Sequence, residues 1–249
     1  MEGLEPLGEG GEIRLCVVMP VANEAATIES LLADVLRHLG DRDRLLLIID
    51  KVSTDGTREL VRGCISRPGH ARVTLIEAPE NRCVTDAYMR GYREAMQLNP
   101  RWILEMDAGY SHDPADIPRF IQAMEQGYDY VGGSRFADGS RYSAGAYRRL
   151  LSQGGSWVAR RLLHCPLTDM TSGYQCYGRK AMALVLDKGV FSRGGFFQTE
   201  IRYLMSRLKW KEIPISYGNT KPTVPFRHVL EGLTGLFRLA GEARREPGA

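Results

Sequence analysis

The sequence lacks the features that would tie it to a membrane span, a disulfide scaffold or a common phosphate-binding loop. None of its 249 residues falls in a run approaching the roughly 18–20 apolar residues that cross a bilayer. The opening Met1-Glu2-Gly3-Leu4-Glu5-Pro6 has neither the basic nor the apolar region of a secretory leader, so any membrane role is expected to be peripheral. The cysteines (Cys16, Cys64, Cys83, Cys165, Cys176) are odd in number and widely spaced, with no Cys-x-x-Cys pair, and read as reduced thiols of a cytoplasmic protein. The histidines do not gather at metal-ligand spacing; His112 alone lies beside a candidate site loop. Neither a Walker-type loop nor a Gly-x-Gly-x-x-Gly turn after the first strand is present, which argues against a kinase and a dehydrogenase. A formal net charge of +3 is too small to call for nucleic acid.

What is present is a repeated alternation of buried strand and amphipathic helix. Apolar runs at Leu15–Pro20, Leu45–Ile49, Val73–Ile76 and Trp102–Met106 read as strands covered on both faces. Helical periodicity follows the first three, near 28–36, 58–64 and 85–96. This order predicts an α/β fold, a mostly parallel sheet flanked by helices, with ligands beyond the carboxyl ends of the strands. Asn23, Glu24, Asp50, Asp55 and Asp107 follow strand ends and should converge on one crevice. After Arg135 the alternation weakens, and amphipathic helices are expected over 145–163, 195–208 and 226–245. Six arginines against one acid lie between Arg135 and Arg161, which suits either a solvated face or an anion site. The division expected is a disordered tail over 1–12, one domain over 13–217, and a C-terminal amphipathic helix within 218–249 that could lie at a membrane interface.

The ordered segments VVMPVANEAATI, IIDKVSTDGT, LEMDAGYSHDPADIP, VGGSRF, TSGYQCY and FFQTEI resemble the family 2 glycosyltransferases of GT-A (Rossmann-like) fold, most closely the polyprenol (dolichol) phosphate mannosyltransferase group. The resemblance runs over about residues 14–217. It implies that Pro20, Asn23, Glu24, Asp50 and Asp55 bind a nucleotide diphosphate sugar, and that Asp107 holds Mg²⁺ or Mn²⁺ against the diphosphate; Ser111, His112, Asp113 or the diphosphate itself are the alternatives for the remaining ligands. It also implies that Gln198 and Glu200 lie near the sugar, that Asp169 faces the transfer site, and that Arg135, Arg148, Arg149 and Lys221 clamp a lipid phosphate. The chain departs from the pattern at four places. Ala22 replaces an aromatic residue, Lys51 and Gly109 each replace an Asp, and Thr220 stands near an Arg position.

The activity so implied is inverting transfer of a mannose-like or glucose-like hexose to polyprenyl phosphate at the cytoplasmic membrane face. A phosphate acceptor is already an anion and needs no base, and Asp169 would then position rather than deprotonate. The alternative is a soluble enzyme acting on a hydroxyl of a small molecule or glycan, with Asp169 or Glu200 as base. A third reading, prompted by Lys51 and Gly109, is a non-catalytic nucleotide-sugar-binding protein.

Overall fold

The computed structural model of the chain describes residues 12–143, 145–218 and 226–244, the side chains of 226–229 excepted. Most of the expected tail and the expected phosphate ligand Lys221 therefore lie outside the described residues. In chain order the elements are β1 (Leu15–Val21), α1 (Ile28–His38), β2 (Asp43–Ile49), α2 (Thr57–Ile65), β3 (Val73–Glu77), α3 (Val84–Gln97), β4 (Trp102–Glu105) and α4 (Ile117–Met124). There follow β5 (Tyr130–Ser134), β6 (Arg141–Ser143), α5 (Ala146–Leu163), β7 (Gln175–Gly178), α6 (Arg179–Lys188), α7 (Phe197–Met205), β8 (Trp210–Pro214), β9 (Ser216–Gly218) and α8 (Phe226–Ala243).

Seven strands form one sheet in the order β3-β2-β1-β4-β7-β5-β8, and β6 pairs with β9 in a separate short ribbon. β1, β2, β3 and β4 are mutually parallel, as are β5 and β8; β7 runs against both its neighbours. The apolar run of β1 explains its central place, since its alternate side chains enter two different cores. Leu15, Val17, Met19 and Val21 pack on the α1, α2 and α4 side, while Cys16 and Val18 face α3, α6 and α7. Gly91 lets α3 approach the sheet closely, because a Cβ there would lie 2.8 Å from Ile48 Cδ1. Leu236, Leu239 and Ala240 of α8 join the second core, so this helix is part of the domain's packing.

The broad apolar face expected of the C-terminal helix is divided. Leu236 and Leu239 are buried, whereas Leu230, Leu233 and Phe237 are exposed, as are Tyr147, Leu150 and Trp157 of α5. Among the described residues no helix is long and apolar enough to cross a membrane.

Candidate active site

Because β1, β2 and β4 are parallel neighbours, the segments that follow them share one edge of the sheet. Pro20 lies half-buried in β1, opposite Ile48. Asn23, at φ 56°, spends its side chain on the loop after β2: Nδ2 donates to Val52 O at 3.0 Å and Oδ1 accepts from Thr54 N–H at 3.0 Å. Asp55 is likewise occupied, accepting from Ala25 N–H at 2.9 Å and from the Thr57 hydroxyl at 2.5 Å and amide at 3.1 Å. The polar atoms of these two side chains lock the two loops together at the strand ends. Asp50 is buried and accepts from Val52 N–H on Oδ1 at 3.0 Å, a turn-capping bond that leaves Oδ2 for another partner.

Asp107 follows β4 and keeps 41% of its side chain exposed, an appropriate state for a carboxylate that meets a ligand. Its Oδ1 accepts from the hydroxyl of fully buried Tyr88 on α3. Its backbone N–H donates to His112 Nδ1 at 2.9 Å. With Nδ1 accepting, the neutral ring carries its proton on Nε2, which lies 3.7 Å from Asp107 Oδ2 and has no hydrogen-bond partner. Burial drives the His112 pKa down to about 4, keeping the ring neutral. His112 is stacked on Tyr174 with centroids 4.6 Å apart, which fixes the ring under Asp107.

The missing second acid of the Asp107 loop has a structural counterpart. Gly109 sits at φ 77°, and a Cβ built on it would lie 2.6 Å from Glu24 Oε2 and 2.8 Å from Oε1. The Glu24 carboxylate thus occupies the space beside Gly109 that a side chain would need. Among the described residues no three His, Cys, Asp or Glu side chains form a metal cage. Asp107 and Glu24 still offer hard oxygen donors on either side of Gly109, and half-buried Ser111 lies on the same loop. Oxygen donors of this kind suit the chemistry of Mg²⁺ or Mn²⁺, with diphosphate and water oxygens supplying the rest of the shell.

Arg135 and Asp169 form a buried bidentate pair. Nε donates to Oδ2 and Nη2 to Oδ1, both at 2.8 Å, and the Arg135 backbone N–H adds a bond of 3.0 Å to Oδ2. Burial would raise the Asp169 pKa, but the charge and hydrogen bonds of Arg135 override it and hold the carboxyl at about 2. With both carboxylate oxygens bonded to Arg135, Asp169 is held as its counterion. The loop carrying it is fixed by buried Arg202, which donates to the carbonyls of Gly133, Asp169 and Ser172, and by Glu212, which accepts from Thr168 and Asp169 N–H. Arg135 in turn packs among the rings of Phe136, Tyr142 and Tyr217 at 5.1–5.4 Å.

A cavity of about 540 Å³ opens beside Asp107. Asp107, Arg135, Arg148 and Tyr217 give it polar groups. Leu151, Val158 and Ala159 of α5, Leu233 and Leu236 of α8, and Phe196 and Phe197 give it apolar walls. Arg148 Nη2 lies 3.5 Å from Tyr217 OH, whereas Arg149 is solvent-exposed and outside the lining, so the expected arginine clamp reduces to Arg135 and Arg148.

Glu200 accepts from the backbone N–H groups of Phe191 (2.9 Å) and Ser192 (3.1 Å), bonds that tie it to the 191–192 loop. Gln198 reaches the cavity wall, but its amide is bonded to Glu105 and Gln175. Glu105 is fully buried beneath the site and also accepts from Tyr92 and Tyr177. Burial pushes its pKa up to about 8, against the lowering effect of those donors. Sequence reasoning missed Tyr88, Glu105, Tyr217 and the two phenylalanines. An acid inside an otherwise apolar strand was a usable signal for Glu105; aromatic residues at helical spacing look like core.

The sequence matches Glycosyl transferase family 2 over residues 16–183, more than half of the chain. It is 25% identical over 207 residues to the undecaprenyl-phosphate mannosyltransferase of Micrococcus luteus, covering 82% of this chain and 84% of that one. It is 28% identical to the polyprenol monophosphomannose synthase of Mycolicibacterium smegmatis, covering 82% and 77%. The fold is shared with glucosyl-3-phosphoglycerate synthase from Mycobacterium tuberculosis, crystallised with Mn²⁺, UDP and glucosyl-3-phosphoglycerate, at a TM-score of 0.66 and 13% identity over 95% of this chain and 81% of that one. The mostly parallel seven-stranded sheet has the GT-A fold, and the chain belongs to glycosyl transferase family 2 and is a glycosyltransferase.

Proposed function

We propose that the protein transfers a hexose, mannose being the first to test, from a nucleotide diphosphate sugar to polyprenyl phosphate with inversion at the anomeric carbon. The observation that carries this reading is the cavity beside Asp107, whose polar groups include Arg135 and Arg148 and whose apolar walls come from α5 and α8. Guanidinium groups suit a phosphate, and apolar helix faces suit the first isoprene units. The occupied state of Asp169 and Glu200 points the same way. Neither is available to deprotonate a hydroxyl, whereas a phosphate monoester arrives as an anion. The two relatives named as acting on undecaprenyl phosphate and polyprenol support the same acceptor class.

In this mechanism an acceptor phosphate oxygen, oriented by Arg135 and Arg148, attacks the anomeric carbon in line with the bond to the diphosphate. That bond breaks, its electron pair stays on the diphosphate oxygen, and single displacement inverts the configuration. Tyr88 and His112 hold the Asp107 carboxylate and its backbone in place throughout. A divalent cation held by Asp107, with Glu24 or Ser111, would offset the charge gathering on the leaving nucleoside diphosphate. Asp50 and Pro20 remain the candidates for contacting the nucleoside. The exposed Leu150, Trp157, Leu233 and Phe237, with Arg149 and Arg161 nearby in sequence, suit peripheral contact with the cytoplasmic membrane face that would supply the lipid.

The test uses detergent-solubilised undecaprenyl phosphate, undecaprenol and a panel of radiolabelled GDP, UDP, dTDP and CDP sugars with and without Mn²⁺. Label should enter the organic phase with undecaprenyl phosphate and stay aqueous with undecaprenol. Transfer to the alcohol, or only to water-soluble hydroxyl acceptors, would overturn the assignment.

A further inference from the structure

A second cavity of about 540 Å³ lies on the other flank of α3, between the segment after β3 and the segment between α6 and α7. It shares no lining residue with the cavity beside Asp107. Val84 and Tyr88 of α3 face that first cavity, whereas Thr85, Met89 and Arg93 face this one.

We propose that this second cavity binds a small phosphorylated compound, with Arg93 and Arg193 as its cationic groups and Asn81 and Thr85 as hydrogen-bonding groups on its wall. Asn81 is 95% buried and Thr85 96% buried, yet Asn81 Nδ2 and Thr85 Oγ1 have no hydrogen-bond partner. Buried polar atoms of this kind are ordinarily paired, and both residues line the cavity. The rim carries four arginines against two carboxylates, Glu80 and Asp86. Arg90 bonds Glu80 and Glu94 at 2.8 Å each, and Arg82 pairs with Asp86 at 3.5 Å. Glu80 is thereby paired with Arg90, and Asp86 lies between Arg82 and the charge of Arg193, while Arg93 and Arg193 make no direct ion pair among the described residues and stay exposed.

A phosphate matches this set because two guanidinium groups and two neutral polar groups can divide its oxygens among them. Met89, Val190 and Phe191 provide an apolar wall on which an organic body can rest, and the volume exceeds that of a bare ion. The occupant would bridge α3 to the 189–193 segment. That segment runs on through Gly194 to Gly195, Phe196 and Phe197 in the wall of the first cavity, so the two spaces share a continuous piece of chain.

The experiment measures binding of inorganic phosphate and of phenyl phosphate to the full chain by calorimetry in a phosphate-free buffer. Both should bind saturably, phenyl phosphate the more tightly. The Arg93→Ala/Arg193→Ala double variant, altered only at exposed positions, should lose about tenfold or more in affinity. Asn81→Leu should lose affinity while leaving the unliganded melting temperature unchanged or raised. In an Arg148→Ala background, which removes a phosphate contact proposed for the first cavity, both probes should still bind saturably, and adding the double Arg variant should abolish that binding. Absence of saturable binding would overturn the proposal. So would affinity that survives the double Arg variant in the Arg148→Ala background, or that disappears with Arg148→Ala alone, since the anion would then be reporting the transfer site.

Discussion

Replacing Asp169 with Asn tests whether this residue acts by holding Arg135 in place. The substitution preserves size but removes the charge facing Nε and Nη2 of Arg135, and it turns an amide N–H₂ toward one of those donors. The separation between an Asp169 pKa of about 2 in the folded chain and the ordinary 3.8 corresponds to roughly 2–3 kcal/mol at neutral pH. Leaving a buried guanidinium without its counterion brings the expected loss to about 3–5 kcal/mol. For a chain of this length that is a fall in Tm of roughly 10 °C. The sign follows from a depressed folded-state pKa. The stabilisation is present above pH 3.8 and is lost as pH falls toward 2, so the gap between wild type and Asp169→Asn should narrow over that interval. Urea unfolding followed by circular dichroism at pH 7 and at low pH measures this. In parallel, the variant should show a raised KM for the lipid acceptor without a new pH dependence between pH 6 and 9. The double variant Arg135→Met/Asp169→Leu should be more stable than the sum of the single losses implies, while transfer remains lost. Wild-type stability in Asp169→Asn, or loss of an ionisation near neutral pH from its rate profile, would refute the reasoning.

Tyr88→Phe should lower kcat about tenfold with a stability change near 1 kcal/mol, because one hydrogen bond to Asp107 is lost from a site that remains packed; steady-state kinetics and thermal unfolding would show both. Glu105 has a folded pKa raised to about 8 from 4.5, so the folded chain binds the extra proton and wild-type stability should fall as pH rises from 4.5 toward 8. Glu105→Gln should flatten that slope in denaturation curves taken across the interval. Gly109→Asp should destabilise the fold by about 1–3 kcal/mol, since it forces a side chain into φ 77° against Glu24. It should also leave Mn²⁺ affinity, read by electron paramagnetic resonance, no stronger than in the wild type.

The first half of the sheet could be read directly from the sequence because each parallel strand is an uninterrupted apolar run with a polar residue at its end. Leu45–Ile49 and Trp102–Met106 needed no other information. The second half gave less. β7 contains Gln175 and a Tyr between small residues, and its burial depends on the Glu105 network, which joins positions far apart in the chain. Asp107 was legible as a strand-end carboxylate, and Arg135 from the Gly-Ser-Arg-Phe segment. Their partners were not. Whether Asp169 is a base or a counterion depends on the 2.8 Å bonds to Arg135, and the role of Glu200 depends on the path of residues 191–192. Exposed polar residues such as Asn23 and Asp55 look alike in sequence whether they hold a ligand or a neighbouring loop.

The reversed direction of β7 has a consequence for how the site can vary. Parallel strands deliver chain to the ligand edge only at their carboxyl ends, whereas β7 departs from that edge at its first residue, so the Thr168–Gly173 segment precedes its strand. The Asp107 loop leaves the sheet, while the loop that anchors Arg135 enters it. Lengthening or recoding residues 164–173 would therefore reshape the surroundings of Asp169 and Arg135 while leaving the pairing of β1, β2 and β4 untouched. Arg135 itself follows β5, which runs with β4, so one chain direction delivers the arginine and the opposite one delivers the carboxylate that holds it.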